Sequence, residues 1–187
     1  HDPQTSNAFE LFQSIISKQA QLVAHWMGIG FIHGVMNTDN MSLSGETIDY
    51  GPCAFMDRFN PTQKFSYIDQ NSRYAYSNQP GIAQWNLTRL AEALLPLFDE
   101  DQEKAVTMAK GELEKFPHLF DEAHLKIFSK KIGLPQNHDP ELIQALLDLM
   151  AFQKTDFTLT FRSLSNSPDS FLFNFEDEAP ARDWLAR

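Results

Sequence analysis

Apolar residues recur every three or four positions along most of the chain, a spacing that places them on one face of an α-helix. Residues 7 to 27 show this pattern first. Asn7 and Glu10 are spaced as a capping box at the start, and Gly28 stands just beyond the end. The pattern therefore predicts a long helix directly before a strongly polar stretch.

The same periodicity predicts further helices from residue 80 to residue 187. Pro80 suits a first helical turn, and Asp139 followed by Pro and Glu is a typical helix start. Residues 156 to 164 fit either a strand or a helix, and we favour a helix because its neighbours are helical. Residues 165 to 180, rich in Ser, Pro and Asp, are expected to form a connection. The predicted fold class is mainly α.

A polar stretch from residue 33 to residue 51 interrupts the helical pattern. It begins with His33, contains the adjacent pair Asp39 and Asn40, and ends with Asp49 followed by Tyr and Gly. This layout is typical of a catalytic loop that is followed by a short hairpin and a metal-binding Asp. The segment from residue 37 to residue 40 taken alone also fits an ordinary polar turn.

The residues between Asn40 and Asp49 favour a hairpin. Residues 41 to 43 and 47 to 49 are strand-like, and Gly45 between them is free to adopt the positive φ of a tight turn. The open end of this hairpin would place Asn40 opposite Asp49, with Cβ atoms roughly 4.5–5.5 Å apart. We therefore expect a small β-hairpin that carries the catalytic and metal residues.

An amide oxygen and a carboxylate at that separation can share one Mg²⁺, which takes the rest of its ligands from water and substrate phosphates. Asp39 would then be free to accept a hydrogen bond from an incoming hydroxyl group. This division of labour is that of kinase-like phosphoryl transfer. The residues are compatible with attack at any phosphorus of the nucleotide.

Composition narrows the class of protein. The 187 residues, of which 42% are hydrophobic, suffice for one domain, and we expect a single domain over residues 1 to 187. A net charge of −10 disfavours a nucleic-acid partner. There is no apolar run long enough to cross a membrane, and no signal peptide is visible. With Cys53 as the single cysteine, we expect a cytoplasmic protein, or a mitochondrial one in a eukaryote.

Residues 31 to 56 and 69 to 97 together resemble the selenoprotein O family of kinase-fold protein adenylyltransferases. The resemblance rests on long and unusual strings. They are Gly30-Phe31-Ile32-His33-Gly34-Val35-Met36-Asn37-Thr38-Asp39-Asn40-Met41-Ser42, Thr47-Ile48-Asp49-Tyr50-Gly51-Pro52, Arg73-Tyr74-Ala75-Tyr76, Gln79-Pro80 and Trp85-Asn86-Leu87. Similarity weakens after residue 100.

The resemblance implies a role for each matching residue. Asp39 matches the proton acceptor of the family, and Asn40 and Asp49 match its Mg²⁺ ligands, with Mn²⁺ as an alternative metal. Asp49 also matches a position beside the ATP phosphates, whereas His33 matches a structural histidine. The implied reaction transfers AMP from ATP to Ser, Thr or Tyr hydroxyls of protein substrates. Neither a nucleic acid nor a membrane is expected as a partner.

The chain departs from the family pattern in one respect. It has no glycine-rich nucleotide loop and no strand lysine for the phosphates, which full-length members carry in an N-terminal portion. The chain is therefore similar to a protein-kinase-like C-lobe, and the isolated fragment is expected to be inactive. Two alternatives stay open, namely a kinase-like phosphotransferase and a non-catalytic helical binding module.

Overall fold

Helices dominate the computed structural model, which describes residues 7–136 and 138–187. Eight α-helices and two short β-strands lie within these residues. In chain order they are α1 (Ala8–Gly28), β1 (Phe31–Ile32), β2 (Ala54–Phe55), α2 (Gln79–Phe98), α3 (Gln102–Leu113), α4 (Phe116–Lys131), α5 (Pro140–Gln153), α6 (Phe157–Ser163), α7 (Pro168–Leu172) and α8 (Glu178–Leu185). The prediction of a mainly α fold is confirmed. The predicted single domain extends to residues 1–6 and 137, which lie outside the described part.

Helix α1 is the central element of the N-terminal half. The side chain of Asn7 accepts a hydrogen bond from the Glu10 backbone N–H, as the capping pattern predicted. Phe12 and Ile16 of its apolar stripe are fully buried, and the helix packs against α2 and α4. The predicted start and end of this helix are both within one residue of the structure.

Two hydrophobic clusters form the core. One gathers around α1 and α2, with Phe12 and Leu87 among its buried members. The other joins α5, α6 and α8, and Leu146 and Trp184 belong to it. Phe120 of α4 packs against both clusters, so α4 links the two halves of the described structure.

Three C-terminal segments differ in how well the sequence predicted them. Residues 157 to 163 form helix α6, capped by Asp156 through Leu159 N–H at 2.7 Å, so the helical interpretation is confirmed. The helical pattern of residues 106 to 116 predicted a helix that ends near Pro117, but α3 ends at Leu113 and Pro117 lies in the first turn of α4. The expected connection from residue 165 to residue 180 contains the short helix α7, capped by Ser167.

The two strands close the base of a long loop. They pair antiparallel, with Phe31 opposite Phe55 and Ile32 opposite Ala54. The Met56 N–H extends the pairing by donating to the Gly30 carbonyl at 2.8 Å. Everything from residue 33 to residue 53 is therefore a loop whose two ends are held together, and this loop contains the whole predicted site.

No helix in the described part of the chain is long and apolar enough to cross a membrane.

Candidate functional site

The loop between β1 and β2 presents Asp39, Asn40 and Asp49 on one connected segment. Asp39 and Asn40 lie in a 3₁₀ turn, Thr38–Asn40. The Asp39 and Asp49 side chains are exposed, and Asn40 is half-buried. The two carboxylates are therefore accessible to a ligand from solvent.

The amide of Asn40 has a defined orientation. Its Nδ2 donates to the Val35 carbonyl oxygen at 3.0 Å. Because a carbonyl oxygen only accepts hydrogen bonds, the nitrogen of the amide must face Val35. The Asn40 Oδ1 atom is thus turned away from Val35, which suits it to act as a metal ligand.

The backbone at Asp49 is strained. Its φ is +55°, a left-handed conformation that is uncommon for residues other than Gly, though Asp and Asn tolerate it best. The Gly51 N–H donates to the Asp49 carbonyl at 2.9 Å and so closes a tight turn immediately afterwards. Residues held in such conformations cluster at functional sites, where the surrounding structure keeps them in place.

The expected hairpin is reduced to a single bridge, between Met41 and Thr47. In this register Asn40 is level with Ile48, and Asp49 lies one residue further along. The prediction that Asn40 and Asp49 are directly opposed is therefore wrong by one residue. The sheet that the structure does contain lies at the base of the loop rather than within it.

His33 is fully buried and connects the two halves of the loop. Its Nε2 lies 2.8 Å from the carbonyl oxygen of Ile48, and the Val35 N–H points to its Nδ1 at 3.4 Å. These partners require the proton on Nε2, because a carbonyl accepts and an amide N–H donates. The ring also lies 5.4 Å from that of Trp26. His33 therefore fixes the residue that precedes Asp49, which agrees with a structural histidine.

Two amides of α2 hold the other side of the loop. Gln79, fully buried, accepts from the His33 N–H and donates to the Phe31 carbonyl, both at 3.0 Å. Asn86 donates through Nδ2 to the Met36 carbonyl at 3.0 Å. The sequence contained both residues in strings shared with the family, but their roles depend on contacts across some fifty residues and could not be derived from local pattern.

A second loop packs beside the first. Tyr74 donates its hydroxyl hydrogen to Asn37 Oδ1 at 2.6 Å, and the buried Asp69 carboxylate accepts from the Arg73 and Tyr74 backbone N–H groups. The Arg73 guanidinium lies over the exposed ring of Trp85, 4.7 Å from its centroid. Asn37, Asp69, Arg73 and Tyr74 line a cavity of about 630 Å³. The second loop therefore forms one wall of a recess whose other side is Asn37, two residues before Asp39.

The donor set fits a hard cation better than zinc. The described residues contain no group of three or more His, Cys, Asp or Glu side chains that is placed to hold a metal ion. A structural zinc site would need four such ligands, whereas Mg²⁺ is held by one or two protein oxygens together with waters and phosphates. Asn40 Oδ1 and the Asp49 carboxylate are oxygen donors of that kind.

Comparison with known proteins found a matching family model and similar bacterial sequences. The family model described as "Protein adenylyltransferase SelO" matches residues 2–179. Proteins named "Protein nucleotidyltransferase YdiU" are similar in sequence: that of Bradyrhizobium diazoefficiens is 55% identical over 184 residues, 95% of this chain and 38% of the relative. Those of Methylorubrum populi and Rhizobium etli are 56% and 52% identical, over 88% and 95% of this chain and 34% and 37% of the relative. The chain thus spans less than two fifths of the length of these relatives. All three relatives are bacterial, and this gives no support to the expected alternative of a mitochondrial location.

Proposed function

The chain belongs to the SelO family of protein adenylyltransferases, and from this premise we propose that the protein carrying it transfers AMP from ATP to hydroxyl groups of proteins. The observation that supports this most is the arrangement of Asp39, Asn40 and Asp49 on one loop whose two ends are tied together by β1 and β2. In this proposal the chain forms a protein-kinase-like C-lobe, and all of it belongs to one domain.

Each residue of the loop has a separate task. Asp39, exposed on its 3₁₀ turn, accepts the proton of the attacking Ser, Thr or Tyr hydroxyl. Asn40 Oδ1 and the Asp49 carboxylate would hold Mg²⁺ or Mn²⁺, and Asp49 would also face the ATP phosphates. The metal, when bound, neutralises charge on the phosphate oxygens. His33 and Gln79 bind neither substrate nor metal but keep the loop in this shape.

The recess between Asn37 and the loop around Asp69 is the proposed approach path for the acceptor protein. Its wall carries the Arg73 guanidinium, stacked on Trp85, and the fully exposed Tyr67 stands on the same loop. It lies next to the turn that carries Asp39. An exposed acceptor side chain can therefore reach the proton acceptor without entering the core.

One experiment separates AMP transfer from phosphate transfer. The intact protein is incubated with a protein acceptor and with ATP labelled either on the α-phosphate or on the γ-phosphate. AMP transfer predicts label in protein only from the α-position, whereas a kinase-like phosphotransferase predicts label only from the γ-position. Asp39→Asn and Asp49→Asn should each abolish labelling, while Asp183→Asn, an exposed carboxylate on α8, should not.

The alternative function, a non-catalytic helical binding module, predicts a third outcome of the labelling experiment. Such a module predicts no labelling from either position and no rise in Tm with Mg²⁺ and ATP, because a ligand stabilises only a protein that binds it in the native state. We also propose that the isolated 187-residue chain is inactive, and the same labelling assay on that chain tests this.

A further inference from the structure

A cavity of about 250 Å³ lies between α1, α2 and the loop residues 38 to 43. Its wall is mostly apolar and includes Ile15 of α1 together with Ala83 and Leu87 of α2. Engineered cavities of roughly 150 Å³ with walls of this kind accept benzene. The volume therefore suffices for a small organic molecule. It is separate from the recess described for the acceptor protein.

Two buried amides in the cavity wall have an unused oxygen. Gln19 and Asn86 are 3% and 6% exposed. Of the described buried side-chain atoms, four have no hydrogen-bond partner, and Gln19 Oε1 and Asn86 Oδ1 are two of these four. A buried acceptor without a partner destabilises the folded state. A ligand that donates hydrogen bonds here would recover that cost.

The direction of both oxygens is fixed by the loop. Gln19 Nε2 donates to the Ser42 carbonyl at 2.6 Å, and Asn86 Nδ2 donates to the Met36 carbonyl at 3.0 Å. Neither amide can rotate by half a turn, because its oxygen would then face a carbonyl oxygen. Both oxygens therefore remain acceptors without a donor as long as the loop keeps its shape.

The wall also restricts the charge of a ligand. Among the described residues that line the cavity, Arg89, which pairs with Glu92, is the charged one, and none is a carboxylate. A cationic ligand would lie near the Arg89 guanidinium and would itself have no counter-ion in the cavity wall. An anionic ligand would face two acceptor oxygens that cannot donate to it. The ligand that fits is uncharged, carries N–H or O–H donors, and has an apolar body.

We propose that this cavity is a binding site for a small uncharged molecule of the primary amide class, whose N–H groups donate to Gln19 Oε1 and Asn86 Oδ1. The same two side chains hold the loop on either side of Asp39 and Asn40, so occupancy of the cavity stiffens that loop. This site needs neither ATP nor metal.

Benzamide is a suitable probe, and N,N-dimethylbenzamide is its matched control because it keeps the ring and carbonyl but lacks N–H donors. Titration calorimetry on the intact protein without nucleotide should show saturable benzamide binding and affinity at least roughly tenfold lower for the dimethyl compound. A crystal structure with benzamide should place its nitrogen within hydrogen-bond distance of Gln19 Oε1 or Asn86 Oδ1. Leu90→Phe, which fills the cavity from α2, should abolish binding, and the exposed Leu97→Phe on the same helix should not.

Equal affinity for the two compounds would overturn the proposal, because binding would then not use the donors. So would a crystal structure in which waters alone satisfy both oxygens at saturating benzamide, or in which another segment of the intact protein fills the cavity. These results are independent of AMP transfer, which none of the measurements uses. The comparison of the two compounds on the unmodified protein does not depend on how well Leu90→Phe folds.

Discussion

The imidazole of His33 and the carbonyl group of Ile48 are joined by a hydrogen bond of 2.8 Å that crosses the candidate active-site loop. His33 follows β1 directly, and Ile48 precedes Asp49. The bond thus connects the rigid base of the loop to the residue proposed to bind metal. A substitution of the fully buried His33 should therefore alter the position of the exposed Asp49 carboxylate.

Replacing His33 by Phe should lower the free energy of unfolding by about 1–3 kcal/mol, because the ring contacts are kept while the Ile48 carbonyl loses its donor. The Mg²⁺ concentration for half-maximal AMP transfer should rise, since Asp49 is less well positioned. His118→Phe is the control: His118 is exposed on α4, so stability should change by no more than about 0.5 kcal/mol. Unchanged metal dependence in His33→Phe would show that the bond does not position Asp49.

The conformation of Asp49 predicts an unusual order of stability among its variants. At a φ of +55°, Asp49→Gly should be more stable than Asp49→Ala by about 1 kcal/mol, because a Cβ is disfavoured in the left-handed region. Both variants lack the carboxylate and should lose labelling. Urea denaturation measures the difference.

The same pair of substitutions at Asp183 provides the control. Asp183 lies within helix α8, where Ala is favoured over Gly by about 1 kcal/mol, so the order should reverse. If Ala were better than Gly at both positions, the strain assigned to Asp49 would be wrong.

Two glycines should respond in opposite ways to Ala. Gly34 has a φ of +84°, and an added Cβ would lie 3.1 Å from both Pro52 Cγ and the Pro52 carbonyl oxygen. Gly34→Ala should therefore destabilise by about 1–3 kcal/mol. Gly111, on α3, has open space around it, and Gly111→Ala should stabilise by about 0.5–1 kcal/mol. Thermal unfolding of the two variants side by side tests the prediction.

His124 should make stability depend on pH below neutrality. Burial lowers its pKa below 6.5, partly offset by the charge of Asp121, and its ring stacks on Phe128 at 4.4 Å. The unfolded chain therefore binds a proton at a higher pH than the folded protein does. Stability contributed by neutral His124 is complete above pH 6.5 and is lost as the pH falls through the lowered pKa of the folded state.

The change in unfolding free energy between pH 7.5 and pH 5 measures this effect. It should be smaller in His124→Phe than in the unmodified protein, because Phe does not titrate. Parallel curves for the unmodified protein and His124→Phe would contradict the assignment.

Local rules predicted the elements of this fold because the relevant signals lie within a few residues. Asn7, Asp139 and Asp156 each cap the helix that follows, as their positions indicated. Helix α7 was missed because five residues are too few to show a helical period. The predicted helix end near Pro117 was wrong because the pattern assigned Phe116 to the preceding helix, whereas Phe116 is the first residue of α4 and is buried in the core.

The candidate site was predicted less completely, for a different reason. The sequence indicated which side chains carry the chemistry, but the register of the hairpin depends on the 3₁₀ turn at Thr38–Asn40 and on the Met41–Thr47 bridge. The residues that hold the loop, Gln79 above all, act through contacts that are distant in sequence. No periodicity or motif encodes such contacts.

The bonds that shape the loop have a consequence for folding kinetics. His33 and Gln79 are 46 residues apart, Met36 and Asn86 are 50 apart, and the Tyr76 hydroxyl bonds to Met27 across 49. Closing chain segments of that length costs entropy before any of these bonds can form. The loop should therefore be among the last regions to acquire native structure. A partly folded chain would already have its helices, yet Asp39 and Asp49 would not be in position.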